Sequence, residues 1–410
     1  MRTLAVDLHS HSGYAGGVGQ ISLRNIAQTM RWKGIDMFGT GDCLYPPRTE
    51  ELKSQLRESA PGLFSLPDSN KHFLLQTEVI FTTRIPQYSH KIVAHHIILF
   101  PDFYSISQMG KLMDKWKQKN TIGRPFIVTE SQPELEDRLF AIQAINPLLE
   151  IIPAHVMTPD GILGSKNNLK NISEFYGSFT INAIETGLSA DPTMLEKISD
   201  LADLTMISNS DCHSEALHRV GREFTMLSVG DFSYPAIIEA IRQNQIEFTA
   251  EFQPEEGRYF STGHKKERCG HTEDIIFETE FPQDLICPVC GKKMELGVKE
   301  RCKQLQDLKI PTRNRKSMYL IPLVEIIAHS LHLKNCNSLK VTAIFQAVMD
   351  IFPSEIALWQ SPEIKELLDK RVPEKTINQI IAVQNGDFSF QPSGFDGRYG
   401  KLQIGEKNGK

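Results

Sequence analysis

Short β-rich apolar runs alternate with helical patterns over roughly residues 1–250, and this alternation limits the fold more than any other feature. Candidate strands are Leu4–Leu8, Ile35–Thr40, Phe73–Glu78, Lys91–Phe100, Ile151–Ala154, Ala183–Glu185, Leu204–Ser208 and Ile246–Ala250. Between them lie helical segments such as Leu23–Lys33 closed by Gly34, Pro133–Ile145, and Pro235–Arg242 behind Ser233 or Tyr234. Proline at a helix start and glycine just past its end are the expected boundary signals. Alternation sustained this long requires a parallel sheet, and at this length a barrel, assigned here to residues 1–255.

In such a barrel the C-terminal ends of the strands meet at one rim. His9 and His11 share a face, because residues i and i+2 of a strand point the same way. Asp42 follows the second strand, Glu78 ends the third and His95-His96 lie in the fourth. His155 caps the fifth, and Asp211 with His213 forms another i, i+2 pair. Residues distant in the chain therefore converge on one rim. Imidazoles mixed with carboxylates suit divalent ions such as Zn²⁺ and Mn²⁺. The ligands are too many for one tetrahedral site, so two or three ions are expected. Metals about 3.5–4 Å apart clamp the attacking and leaving oxygens of a phosphoryl displacement.

Residues 256–310 lose this periodicity. The knuckle Cys287-Pro-Val-Cys290-Gly is preceded by Cys269 and His264, with His271 as a rival ligand. Two ligand pairs separated by a loop have the spacing of a zinc ribbon, which holds one structural zinc. Pro311–Lys316 reads as an exposed linker, and residues 311–410 form a helical domain with a tail rich in glycine and aromatics. The tail is expected to make a turn or short hairpin. A net charge of −5 argues weakly against nucleic acid. Yet Lys299–Lys316 holds seven Lys or Arg against Glu300 and Asp307. Such a stripe is the footprint of a face that touches phosphates, or else a solvated loop. No run reaches the ~18–20 apolar residues of a membrane span. The opening MRTLAVDLHSHS lacks the pattern of a signal peptide, and seven cysteines, an odd number, show no disulfide spacing. A cytoplasmic, reducing location without a membrane partner is expected.

HSHS, the Asp42 turn, Glu78, the His of HHIILF, the PAH ending at His155 and the SDCH ending at His213 resemble the PHP (polymerase and histidinol phosphatase) superfamily. The resemblance implies an α/β fold, a distorted (β/α)7 barrel with metal-dependent phosphoesterase chemistry. It selects His96 rather than His95 as the ligand. The chain departs from the superfamily at Asp42-Cys43, where Asp-His is common, so one imidazole is absent. With the zinc module and helical domain included, the chain resembles the endonuclease Q family over nearly its whole length. GTGD, IETGLSAD, SNSDCHS, LHRVGREF and GFDGRYGK carry that likeness.

What it implies is cleavage of DNA on the 5′ side of deaminated bases (uracil, hypoxanthine, xanthine) or abasic sites. Zn, Mn or Mg would be held by His9, His11, Asp42, Glu78, His96, His155, Asp211 and His213, with Asp211 and His213 catalytic. The structural zinc would be held by His264, Cys269, Cys287 and Cys290. Tyr14, Asp191 and Asn209 are placed to line a pocket for an extruded nucleotide, and Arg219 and Arg222 to hold a phosphate. Damaged DNA is the expected partner of a monomer, with a sliding clamp left open. The alternatives are a small-molecule phosphatase of the histidinol-phosphate type, which has no need of the C-terminal region, and a non-catalytic nucleic-acid-binding protein.

Overall fold

The computed structural model describes every residue except 17, 18, 20, 269, 312, 314, 369, 370 and 406–410. Seven strands form a ring: β1 (Arg2–Asp7), β2 (Met37–Gly39), β3 (His72–Thr83), β4 (Ile92–Phe100), β5 (Glu150–Pro153), β6 (Ala183–Glu185) and β7 (Thr205–Ile207). β1, β2 and β3 pair in parallel, as do β6 and β7, whereas β4 runs against both its neighbours, β3 and β5. Between β5 and β6 the Val156 N–H donates to the Glu185 carbonyl, and a parallel bridge from Ser10 to Cys212 returns β7 to β1. The reversed strand and these thin closures are what distort the barrel. Strands β8 (Phe224–Val229), β9 (Ile246–Glu251) and β10 (Ser317–Tyr319) extend the sheet outward from β1.

The period-two alternation of a strand sorts side chains onto two faces. Leu4, Val6, Leu74, Ile97, Leu99 and Ile152 fill the interior. Ala5, Phe73, Leu75, Phe81, Ile98 and Phe100 face outward, onto helices such as Leu23–Lys33, Phe103–Lys115 and Gln132–Gln143. The helix Tyr234–Arg242, capped by Ser233, sends Tyr234, Ile237, Ile238 and Ile241 into the interior cluster. Arg242 then donates to the Glu150 carboxylate at 2.6 Å and to the carbonyls of Pro147 and Leu149. These groups stand at the start of β5, so this helix stoppers the N-terminal end of the barrel. The C-terminal rim opens on solvent.

The C-terminal helices Leu323–Ser330, Leu339–Met349, Glu355–Gln360 and Glu374–Gln384 share their own core around Ile326, Phe345, Leu358 and Ile380. The tail forms an antiparallel hairpin, Phe388–Phe390 against Leu402–Ile404. In the segment expected to be an exposed linker, Arg315 and Lys316 are tied to the barrel by hydrogen bonds. The Lys316 carbonyl accepts from Thr249, and Arg315 donates to the carbonyls of Ala202 and Leu204, both at 2.8 Å. Arg301 is buried and donates to the carbonyls of Leu163 and Leu169. Arg301 and Arg315 of the expected basic stripe thus satisfy interior carbonyls, because an unpaired buried carbonyl is costly, and are not free to face phosphates, while Arg313 lies 3.6 Å from the exposed Asp203.

A buried ion pair, Lys33 Nζ to Glu355 at 2.8 Å, ties the barrel helix Leu23–Lys33 to the C-terminal helices. Glu355→Gln should cost about 3–5 kcal/mol by stranding the lysine. It should shift the denaturant midpoint down, and a Lys33→Met/Glu355→Leu double variant should recover most of that loss.

Candidate metal centre

The rim carries a buried carboxylate surrounded by imidazoles. Glu78, 1% exposed, lies 2.7 Å from His95 Nδ1, 3.4 Å from His11 Nε2, 3.5 Å from His155 Nε2 and 3.8 Å from His9 Nε2. Arg124 approaches its other oxygen at 3.3 Å. Burial alone would raise this carboxyl, but His95, His11 and His155 hold it well below the usual carboxylate range. Asp211 Oδ1 stands 3.2 Å from His11 Nε2 and 3.5 Å from His9 Nε2. Burial opposes protonation of His9, yet the carboxylates of Glu185, Asp211 and Glu78 raise it to about 9. His11 and His155 are raised in the same way against their burial. The field at this rim therefore favours positive charge among the ligand atoms.

Three atoms carry the test for a cation. His9 Nε2, His11 Nε2 and Asp211 Oδ1 are buried and lack a hydrogen-bond partner. Buried polar atoms are normally satisfied, so orphans converging on one point fit a missing ion. His9, His11 and Asp211 have ligand atoms within 4.8 Å of one another, and so do Glu78, His95 and His155. Glu78 borders both groups and is placed to bridge them.

The supporting residues explain why these atoms are free. Both Glu185 oxygens lie 3.0 Å from His9 Nδ1, and one accepts the His155 backbone N–H at 2.8 Å. Glu185 was not singled out from sequence; the signal was its position at the end of the strand Ala183–Glu185. Asp42 stands behind His11, 3.2 Å from Nδ1, while Ser12 donates to its other oxygen. It therefore orients a ligand instead of joining the cluster. Such carboxylate–imidazole pairs fix the tautomer and leave Nε2 for a metal. His155 is held through Nδ1 by Thr158 at 2.8 Å. The His213 Nδ1–H donates to the Asp211 carbonyl, with its ring 4.4 Å from that of His11. Asp42, His155 and Asp211 all have positive φ (54°, 30° and 44°). Strained backbone of this kind costs about 1–3 kcal/mol per residue and clusters at functional sites.

Several expected site residues lie elsewhere. His96 points outward between Phe81 and Phe175, with Tyr176 Oη 2.6 Å from Nε2 and the Ala94 carbonyl at Nδ1. Burial lowers it to about 3. His95 takes the inward position, because it pairs with Ile80 on the face that carries Glu78. Asn209 is 1% exposed and spent on the Leu8 N–H and on Glu185. Asp191 caps a short helix through Met194 and accepts from Tyr319. Tyr14 is 39% exposed and packs near Tyr45, on the Asp42 side of the rim. Arg222 does reach the cavity over the rim, but it is paired with Glu256 at 2.7 Å and stacks 3.3 Å over Phe252. Cys43, at the departure from Asp-His, is buried in the outer core.

The rim opens on a cavity of about 610 Å³ lined by His95, His155, Asp211 and His213, and by Arg124, Arg219, Arg222 and Arg258. A separate group of possible ligands gathers His264, His271, Cys287 and Cys290. Nδ1 of His264 lies 3.4 Å from Cys290 Sγ, and Nε2 of His271 lies 3.6 Å from Cys287 Sγ. A tetrahedral ion with ordinary zinc bond lengths spaces N and S at roughly 3.5 Å, so the donors fit. His271 occupies the fourth place in this group; Cys269, the ligand expected there, lies outside the described residues.

The fold superposes on the lesion-specific endonuclease PfuEndoQ from Pyrococcus furiosus with a TM-score of 0.82 and 26% identity, over 100% of this chain and 98% of that one. A crystal structure of endonuclease Q, complexed with a 27-mer duplex bearing an abasic lesion at the active site, matches at 0.83 and 26%, over 99% and 98%. The uncharacterized protein YqxK of Bacillus subtilis is 25% identical over 98% of this chain and 100% of its own length. An uncharacterized protein of Methanocaldococcus jannaschii is 32% identical over 228 residues, 54% of this chain, and the match spans only 28% of that relative's length. No family model matches the chain.

Replacing Glu185 with Gln should weaken metal binding at the rim by about 10–100-fold through loss of the hold on His9. Titration of metal-depleted protein with Mn²⁺, followed calorimetrically, checks this.

Proposed function

The chain belongs to the endonuclease Q family, and from that premise we propose that it is a metal-dependent endonuclease that nicks DNA on the 5′ side of a deaminated base or an abasic site. The observation that carries this reading is a cluster of unsatisfied buried ligand atoms opening on an arginine-lined cavity, in a chain that matches a DNA-bound endonuclease from end to end.

Two groups, His9–His11–Asp211 and Glu78–His95–His155, would hold divalent cations, with Glu78 shared between them. When bound, such ions polarise the phosphoryl oxygens and make water a nucleophile near neutral pH. The chain's own part is to orient and to hold charge. Glu185 and Asp42 lock the imidazoles of His9 and His11 through Nδ1. Asp211 presents one carboxylate oxygen to the reacting centre. His213 is held through Nδ1, so proton exchange with the substrate falls to Nε2. The cavity arginines stabilise charge on the phosphate.

Selectivity follows from access. The ligand atoms are buried at the bottom of the cavity, so an intact duplex cannot bring a phosphodiester to them without distortion. Extruding a nucleotide costs a few kcal/mol, least where pairing is already lost. Mispaired deaminated bases and abasic sites therefore meet the smallest barrier. The separate His/Cys group reads as a structural zinc site on His264, His271, Cys287 and Cys290.

The deciding experiment is a nicking assay with Mg²⁺ or Mn²⁺ on duplexes carrying uracil, hypoxanthine, an abasic site or no lesion. Cleavage confined to the lesion strands, one bond 5′ of the lesion, is expected. Release of phosphate from a small monoester without nicking would overturn the reading. Asp211→Ala should abolish nicking while its circular dichroism stays that of the unchanged protein. His271→Ala should lower bound zinc by one equivalent, measured by elemental analysis.

A further inference from the structure

The cavity over the metal centre is not built by the barrel alone. One wall consists of Arg258, Tyr259 and Tyr399, which belong to the segment after β9 and to the C-terminal tail. The tail is strapped onto that segment by backbone hydrogen bonds. Gly394 N–H donates to the Glu255 carbonyl at 2.7 Å, Gly400 N–H to that of Glu256 at 2.8 Å, and Ser261 N–H to that of Gly394 at 2.9 Å. Gly394 lies so close that an added Cβ would fall 2.0 Å from the Gly257 carbonyl oxygen. Only glycine permits this approach. Asp396 and Gly397 then take positive φ (43° and 86°), and Gly397 exchanges hydrogen bonds with Arg258. Its N–H donates to the Arg258 carbonyl at 3.0 Å, and Arg258 Nε donates back to the Gly397 carbonyl at 2.9 Å.

This turn delivers Tyr399 to the cavity, 46% exposed. Its ring centroid lies 5.8 Å from the Arg219 guanidinium carbon and 5.6 Å from that of Arg258. Charge separates these two arginines from the others. Arg124 faces Glu78 and Arg222 faces Glu256. Arg219 and Arg258 have no carboxylate within salt-bridge distance among the described residues. Guanidinium groups stack on aromatic rings and present a fork that matches phosphate oxygens. Two guanidinium groups that make no salt bridge among the described residues, held by one ring beside the rim, suit an anionic ligand.

We propose that the C-terminal tail completes a second anion subsite at the edge of the metal centre, where Arg219 and Arg258 bind a phosphodiester of the substrate strand and Tyr399 is the positioning residue between them. The inference rests on the nuclease reading above. A phosphate carries no information about the base, so the subsite anchors the strand without choosing the lesion.

The test uses the full chain with Asp211→Asn to stop cleavage, and two duplexes, one abasic and one with deoxyuridine. Binding is followed by fluorescence anisotropy across a salt series. Arg258→Ala and, separately, Arg219→Ala should weaken binding about tenfold, by the same factor on both duplexes. Each should reduce the slope of log K against log salt by about one. Tyr399→Ala should reproduce part of this loss, and Tyr399→Phe, which keeps the ring, should restore it. An unchanged salt slope in both arginine variants overturns the proposal, as does a loss confined to the deoxyuridine duplex, which would mark a base contact. If the parent protein binds both duplexes and nicks neither once Asp211 is restored, the nuclease reading fails while the subsite stands. Absence of duplex binding by the parent removes both.

Discussion

Glu78 sets the terms for the rest of the rim. A carboxylate removed from water is tolerated only when other groups supply the charge and hydrogen bonds that water would have given. Four imidazoles and one guanidinium do so here, and they come from four separate stretches of chain. The barrel must bring those stretches together before the carboxylate is compensated, which ties the site to closure of the ring. The positive φ values at Asp42, His155 and Asp211 fall at the same rim, where His155 and Asp211 turn toward this centre and Asp42 turns behind His11.

The stopper at the other end is the counterpart of this arrangement. Tyr234, Ile237, Ile238 and Ile241 fill the N-terminal mouth with apolar bulk, so the interior below the rim is lined by apolar side chains. Each fully buried side chain of this kind contributes about 1.5–3 kcal/mol. That contribution helps to offset the cost of a charged, strained rim. The C-terminal region then acts on the rim from outside. Its helices lean on the barrel through Lys33 and Glu355, and its tail adds Tyr399 to the outer wall of the cavity.

The positions of the ring strands were legible because apolar runs and helical patterns alternate cleanly there. His9, His11, Glu78, His155 and Asp211 were legible for a related reason: a strand end has few neighbours, so a histidine or carboxylate placed there needs an explanation. β8 was not foreseen, although FTMLSV is a sound strand sequence, since no chemical residue drew attention to it. His95 and His96 could not be separated by pattern. Both faces of IVAHHIILF are apolar, so alternation assigns no inside, and β4 meets interior side chains on one face and aromatic rings on the other. Asn209 and Asp191 were misread because a polar residue near a rim looks the same in sequence whether it faces substrate or satisfies a backbone N–H.

Periodicity and ligand spacing by themselves determined that this chain makes a barrel, that one rim collects metal-type residues, and that a Cys/His knuckle follows. Those properties depend on local pattern, which a linear sequence records directly. Only the tertiary structure decided which of two adjacent histidines faces Glu78, that Asp42 and Glu185 stand behind His11 and His9, and that His271 lies beside His264, Cys287 and Cys290. It also decided that Arg219 and Arg258 line the cavity at the rim, whereas Arg301 and Arg315 of the basic stripe are spent on backbone carbonyls. Each of those outcomes is a question of which long-range neighbour satisfies a buried charge or carbonyl, and that is known only once the strands have paired and the chain has closed on itself.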